Sequence, residues 1–374
     1  GWLAMKKCIV IPLLLVCFML FGNIKIGVLL PLTGEVSGFG KAMKMGIDLA
    51  HEERGTVLGE KIDLVYYDSK SERIGAQEGA EKLIIQEGVT AIIGEVISSN
   101  TIAAGEVAEK RKIPLVAPVA TNPLVTKGKK FVSRVCFTDP FQGKALAEFV
   151  SKTLKVKRVA IFTETGDEYS TELTDYFMSR FKTYSEQVVQ LSYKAGDRDF
   201  TQQISKAISH GSEAFVITGY YEEIALIAKQ SRSMGYKGYI LAGDGADAPE
   251  LIQMGGQAVE GLYFTAHYHP DAPVTQNSKK FLQAFIGKYG TKPPSSDAPL
   301  GYDAYMILVE AIDRAKTKNP EKIATAVRSI KDFQGVTGMI TIDASGDPIK
   351  DVVIEMIKNQ QFSFAAVISA NLLK

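Results

Sequence analysis

Hydrophobic residues in this chain of 374 residues follow two alternating spacings. Short runs rich in Val, Ile and Leu lie at Ile24–Leu30, Lys61–Tyr67, Thr90–Ile93, Ile113–Ala117, Arg158–Thr163, Gln187–Tyr193, Ala214–Thr218, Gly238–Ala242 and Gly261–Ala266. Several are apolar almost without a break, the pattern of strands in a parallel sheet covered on both faces. Between them apolar residues return every three or four positions, as at Ala80, Leu83 and Ile84 and at Ile224, Ile227 and Ala228. That spacing predicts amphipathic helices. Strand and helix in such alternation predict βαβ units and doubly wound α/β sheets.

The strands fall into two series, about Ile24–Ala120 and Arg158–Ala266. Phe137-Thr138-Asp139-Pro140 separates them, since proline disfavours helix at the residue before it. A second break at His267–Pro273 precedes helical patterns at Thr275–Tyr289 and Leu300–Ala315. Strand-like Met339–Asp343 and Val352–Ile357, separated by the turn Gly346-Asp347-Pro348, end the chain. At roughly 100–200 residues per domain, the length suggests two domains. Two α/β lobes joined by several crossings leave a cleft between them.

Residues 1–23 read differently. Lys6 and Lys7 follow Met5, and Cys8–Phe21 is almost wholly apolar, the architecture of a signal peptide and too short for a membrane span of about 20 residues. Met5 reads as the start and Gly1–Ala4 as an extension. Cleavage near Gly22 gives a secreted protein, Leu14-Leu15-Val16-Cys17 resembles a lipoprotein box that would anchor the chain through Cys17, and an uncleaved leader would itself be an anchor. Removal of the leader leaves Cys136 alone, so the fold must hold by its core, with no internal disulfide. With 43 basic and 42 acidic residues spread along the chain, a nucleic-acid groove has no support.

In open α/β sheets ligands bind beyond the carboxyl ends of strands, which directs attention to the loops there. Ser98-Ser99-Asn100-Thr101 opens a helix after one strand; hydroxyls and free N–H groups there suit either a carboxylate or a plain cap. Thr121, before Asn122-Pro123, makes a second such corner with the same two readings. Asp244, in Gly-Asp-Gly after a second-series strand, is either a turn residue or the partner of an ammonium group. Tyr169, Tyr220 and Tyr221 offer rings and hydroxyls, and Phe39 lies in the Gly-rich stretch Gly34–Gly40. Other chemistries fail on detail. Five residues separate Gly34 from Gly40 and Ala42 follows Lys41, so the phosphate-loop pattern is broken. His267-x-His269 lacks a third metal ligand. No Gly-x-Ser-x-Gly elbow occurs, and Cys136 has no catalytic signature around it.

From Ile24 to about Ile368 the chain resembles the leucine/isoleucine/valine-binding family of periplasmic receptors that serve ABC importers. The stretches that carry the likeness are Ile26-Gly27-Val28-Leu29-Leu30-Pro31-Leu32-Thr33-Gly34, Ala91-Ile92-Ile93-Gly94 leading to Ser98-Ser99, Pro114–Thr121, Gly243-Asp244-Gly245 and Tyr302-Asp303-Ala304. The resemblance implies two doubly wound lobes joined by three crossovers (24–138 with 268–346, and 139–267 with 347–374). It implies an amino-acid ligand whose carboxylate meets Ser98 and Thr121, and whose ammonium meets the Val119 carbonyl and Asp244. Tyr169 and Tyr220 then line the wall, and Phe39 and Val96 fall at the side-chain subsite. A monomer without cofactor or catalysis, delivering its ligand to a membrane permease outside the cytoplasm, is what such a family member would be. Two departures stand out: members often carry Glu where this chain has Asp244, and some carry a first-lobe disulfide that this chain lacks. Relatives also bind aromatic acids, amides or urea, and related folds serve as sensors.

Overall fold

The computed structural model describes residues 22–272 and 274–373. The apolar leader Cys8–Phe21, with Cys17, lies outside them. The first series folds as β1 (Ile24–Leu30), α1 (Ser37–Glu53), β2 (Thr56–Val57), β3 (Glu60–Asp68), α2 (Arg73–Ile85), β4 (Ala91–Gly94), α3 (Ser98–Arg111), β5 (Leu115–Ala117) and β6 (Val132–Arg134). These strands form one sheet in the order β2-β3-β1-β4-β5-β6, parallel except for the short β2. Every residue of β4 and β5 is buried, as continuous apolar runs between two helical layers should be.

The second series begins with α4 (Asp139–Glu148) and continues through β7 (Arg158–Glu164), α5 (Glu168–Phe181), β8 (Gln187–Tyr193), α6 (Thr201–Ser209), β9 (Ala214–Ile217), α7 (Tyr221–Ser233), β10 (Tyr239–Ala242), α8 (Glu250–Gly255) and β11 (Tyr263–Ala266). The chain then returns to the first lobe with α9 (Gln276–Tyr289), α10 (Asp297–Ala315), α11 (Pro320–Arg328) and a hairpin of β12 (Phe333–Gly335) and β13 (Gly338–Ile340). Helix α10 packs along α1. The approach is tight: a Cβ on Gly46 would sit 1.7 Å from the Ala298 carbonyl oxygen, so only glycine fits there. Two last strands, β14 (Val352–Lys358) and β15 (Gln361–Ile368), complete the second sheet in the order β15-β14-β11-β10-β9-β7-β8.

Both lobes are therefore doubly wound, and the second sheet is mixed, because β14 runs antiparallel to β11 and to β15. β15 and β6 had no counterpart among the apolar runs. β15 is a half-exposed edge strand whose residues need not be apolar, and β6 spans only Val132–Arg134 around a buried arginine. Three passages of chain join the lobes, after β6, after β11 and before β14. Among the described residues no helix is long and apolar enough to cross a membrane.

Candidate functional site

The first-lobe wall is built where β4 ends. Glu95, fully buried, accepts hydrogen bonds from the backbone N–H groups of Val96 (2.6 Å) and Ile97 (2.9 Å), from Ser69 Oγ (2.6 Å) and from Asn100 Nδ2 (3.3 Å). It thereby orders the entry to α3, whose cap residue, Ile97, has no side chain able to do so. Burial still lifts the Glu95 carboxyl to about 7 against the pull of those donors. Ser98 is the first residue of α3, not its cap, and its Oγ accepts from Asn122 N at 3.2 Å. That bond ties the α3 corner to the loop carrying Val119 and Thr121. Asn122 does cap the short 3₁₀ helix Pro123–Val125, through Leu124 N at 2.8 Å.

The same loop is held from below by Arg134, a residue with no sequence signal beyond a lone charge in a short strand. Its guanidinium is completely buried and donates to the carbonyls of Ala120 and Asn122 (both 2.8 Å), to Thr126 Oγ1 (2.9 Å) and to Asp347 Oδ1 (2.6 Å). Every arm has an acceptor, the condition under which a buried cation is tolerated.

Asp244 stands on the second-lobe wall, in a single 3₁₀ turn after β10. Its N–H donates to Gln142 Oε1 at 2.8 Å, and its Oδ2 lies 2.8 Å from His267 Nε2. Tyr169 Oη accepts from Gly245 N at 3.0 Å, and the Tyr169 and Tyr220 rings stack at 5.3 Å. Gly243 leaves room for this: a Cβ there would come within 2.4 Å of Tyr169 Oη. Phe39 reaches over from the first lobe and meets Tyr220 edge-on at 6.3 Å.

Between the walls is a pocket. All eight residues expected from sequence line it: Phe39, Val96, Ser98, Val119, Thr121, Tyr169, Tyr220 and Asp244. Ile97, Ala120, Gly245 and Asp297 complete the lining. The sequence profile of the periplasmic binding protein family matches residues 23–361.

The chain belongs to that family. A leucine-binding protein, LivK, of Thermotoga maritima is 50% identical, with a TM-score of 0.92 over 93% of this chain and 99% of its own. LivJ of Streptococcus pneumoniae, solved with isoleucine, is 31% identical with a TM-score of 0.87, again over 93% and 99%. The Leu/Ile/Val-binding protein BraC3 of Rhizobium johnstonii is 30% identical over 87% of this chain and 89% of its own.

In this periplasmic binding protein the lobes touch across the cleft. Tyr221 Oη donates to the Glu35 carbonyl (2.7 Å) and accepts from Gly38 N (3.3 Å); Arg73 pairs with Glu168; Asn122 Nδ2 donates to the Glu168 carbonyl (2.9 Å). Around Asp244 lies a set of buried acids, Asp139, Asp247 and Asp297, that the sequence reading did not place at the site. Burial, then the Asp244 charge, pushes the Asp139 carboxyl well above its ordinary range. Burial and then Asp247 do the same to Asp297, while burial brings Asp247 itself to about 7. Only Asp297 offered a signal, as an acid in the first turn of a helix following Ser295-Ser296. The two histidines of His267-x-His269 do not converge: His267 faces Asp244, whereas His269 Nδ1 accepts from Asp271 N at 3.1 Å. No metal-binding group of three or more His, Cys, Asp or Glu occurs among the described residues. Cys136 is buried, its thiol pushed up to about 12 by desolvation, as an inert packing residue should be.

Proposed function

We propose that the protein is an extracytoplasmic receptor of an ABC importer that takes an aliphatic amino acid, such as leucine, isoleucine or valine, between its lobes. The observation that carries this reading is the polarity of the pocket. Ser98 and Thr121 bring hydroxyls and a helix N-terminus to one wall, Asp244 brings a carboxylate to the other, and apolar Phe39 and Val96 lie beside them. An α-amino acid presents the complementary set: an anion, a cation one carbon away, and an apolar branch. Charge-assisted hydrogen bonds at both ends favour it where water is excluded. Ser98 and Thr121 take the carboxylate, the Val119 carbonyl and Asp244 take the ammonium group, and Tyr169 and Tyr220 form the wall. What the similar LivK, LivJ and BraC3 proteins are named for supports the same ligand class.

The lobes divide at the crossovers, 24–138 with 268–346 and 139–267 with 347–374, so closure is a rotation about three strands of chain. The receptor works as a monomer, without cofactor or turnover, and hands its ligand to the importer's permease. It is secreted, or anchored through Cys17. Thermal-shift screening of the purified protein against amino acids, aromatic acids, amides and urea tests the ligand class. A ligand at 100 times its dissociation constant should stabilise the fold by about 2.7 kcal/mol. Stabilisation by aromatic acids, amides or urea with none by any amino acid rejects the reading.

A further inference from the structure

His267, the first residue of the second crossover, reaches Asp244 from the side away from the ligand pocket. The imidazole is buried and lies flat on Phe137 of the first crossover, with ring centroids 3.8 Å apart and 14° between planes. Its backbone N–H donates to Ser296 Oγ at 3.0 Å. Nδ1 is buried and has no hydrogen-bond partner among the described residues.

This arrangement selects a tautomer. Desolvation holds the imidazole below its ordinary pKa, which favours a neutral ring with one N–H. On Nε2 that hydrogen points at a carboxylate oxygen 2.8 Å away. On Nδ1 it would be buried without an acceptor and would turn a bare lone pair toward Asp244, which costs more than leaving a lone pair unmatched at Nδ1. We infer that His267 is a positioning and specificity-determining residue, a neutral imidazole protonated at Nε2 that fixes one oxygen of Asp244 and leaves its remaining acceptor capacity to the ligand's ammonium group. A protonated ring would instead satisfy the Asp244 charge internally and weaken its claim on the ligand. Because the ring lies flat on Phe137 and its backbone is tied to Ser296 Oγ, the short Asp side chain is held at one depth, so little freedom is lost when a cation docks. The inference rests on the amino-acid reading above.

The test pairs two variants with two ligands. His267→Phe keeps a ring stacked on Phe137 and removes the donor; His267→Gln restores an amide N–H near the place of Nε2. Calorimetry with leucine and with its deaminated analogue 4-methylpentanoate should show His267→Phe weakening leucine roughly 10- to 100-fold and the analogue by less than about threefold. His267→Gln should recover most of the leucine affinity. The imidazole ¹⁵N spectrum of the ligand-free wild type should show Nε2 protonated and Nδ1 bare. Equal losses for both ligands, a Gln variant no better than Phe, or a proton on Nδ1 would each overturn the assignment. If the Phe variant does not fold, the Gln variant's ligand ratio and the wild-type spectrum decide. A wild type that fails to bind leucine removes the amino-acid reading itself, whereas a wild type that binds while the variants do not discriminate removes only the role of His267.

Discussion

Glu95 on the first-lobe wall and Asp247 behind the second are both buried acids brought by desolvation to about 7, yet their surroundings differ. Glu95 accepts from two backbone N–H groups, a hydroxyl and an amide. Asp247 accepts from Ser296 N at 3.1 Å, its Oδ1 has no partner, and the charge of Asp244 raises it further. An acid saturated with donors is a structural device that organises its own loop. An acid among acids has few donors, and the charge of its neighbours holds its proton more tightly still. On the second wall Asp244 has the His267 ring at its back. The two walls thus offer a ligand opposite poles: hydroxyls and N–H groups on one side, a carboxyl group among buried acids on the other.

The largest effect should come from breaking the acidic pole. Asp244→Ala would leave an ammonium group unpaired in a closing cleft, a loss of about 2–5 kcal/mol in binding. Asp244→Asn, close in shape but uncharged, should also weaken amino acids strongly. Neither change should cost 4-methylpentanoate much further affinity, and calorimetry on both ligands completes the cycle. Equal losses for both would mean that Asp244 does not read the ammonium group.

An effect on stability, not on binding, separates a satisfied acid from a crowded one. Glu164, buried at the end of β7, is raised from its ordinary 4.5 to about 8, first by desolvation and then by Asp167, Glu223, Glu35 and Asp197. Its folded-state pKa lies above the unfolded one, so the native state binds the proton more tightly. The resulting stability is full below about 4.5 and is lost as pH rises through about 8. Glu164→Gln should therefore match wild type near pH 5 and exceed it at pH 8, by about 1.4 kcal/mol for every tenfold difference in proton affinity between the folded and unfolded states. Glu95→Gln should instead lose about 1–3 kcal/mol, because an amide replaces one of the two oxygens its donors use. Urea unfolding at the two pH values measures both. A Glu164→Gln variant less stable than wild type at pH 8 would refute the like-charge account.

How much of this was legible beforehand depends on the range of the interaction. Strands such as β4 and β9 announce themselves because burial on both faces demands unbroken apolar residues. The eight pocket residues were legible because strand-end loops are where a doubly wound fold exposes polar groups, and because the family resemblance gave them roles. Spacing left open whether Ser98 caps the helix or faces a ligand; the plain-cap reading fails, because Glu95 holds the turn before the helix through a contact that no local pattern reveals. Arg134, and the partnership of His267 with Asp244, were invisible for a different reason. Arg134 works on Asp347, more than two hundred positions along the chain, and His267 on Asp244 and Phe137, residues of other elements. Such pairings exist only once the strands and crossovers that carry these residues have come together.

The smallest effect lies where the walls meet. Tyr221, at the start of α7, joins them through one oxygen, donating to the Glu35 carbonyl and accepting from Gly38 N, while its ring meets Phe39 edge-on at 5.1 Å. Tyr221→Phe removes that oxygen and keeps the ring contact. When the cleft opens, all three groups return to water, so closure gains only the net worth of the exchange, about 0.5–1.5 kcal/mol. That corresponds to roughly a 2- to 12-fold weaker ligand. The loss should fall on dissociation, because the contact forms after the ligand has entered and does not guide its approach. Stopped-flow binding should therefore show a faster off-rate, an unchanged on-rate and equal proportional losses for leucine and 4-methylpentanoate. This last equality sets the seam apart from the acidic pole: a contact between lobes strengthens any ligand that closes them, whereas Asp244 strengthens only one that carries a cation. Selective loss of leucine in Tyr221→Phe would mean that the seam and the pole are one coupled unit and that the separation drawn between them is wrong.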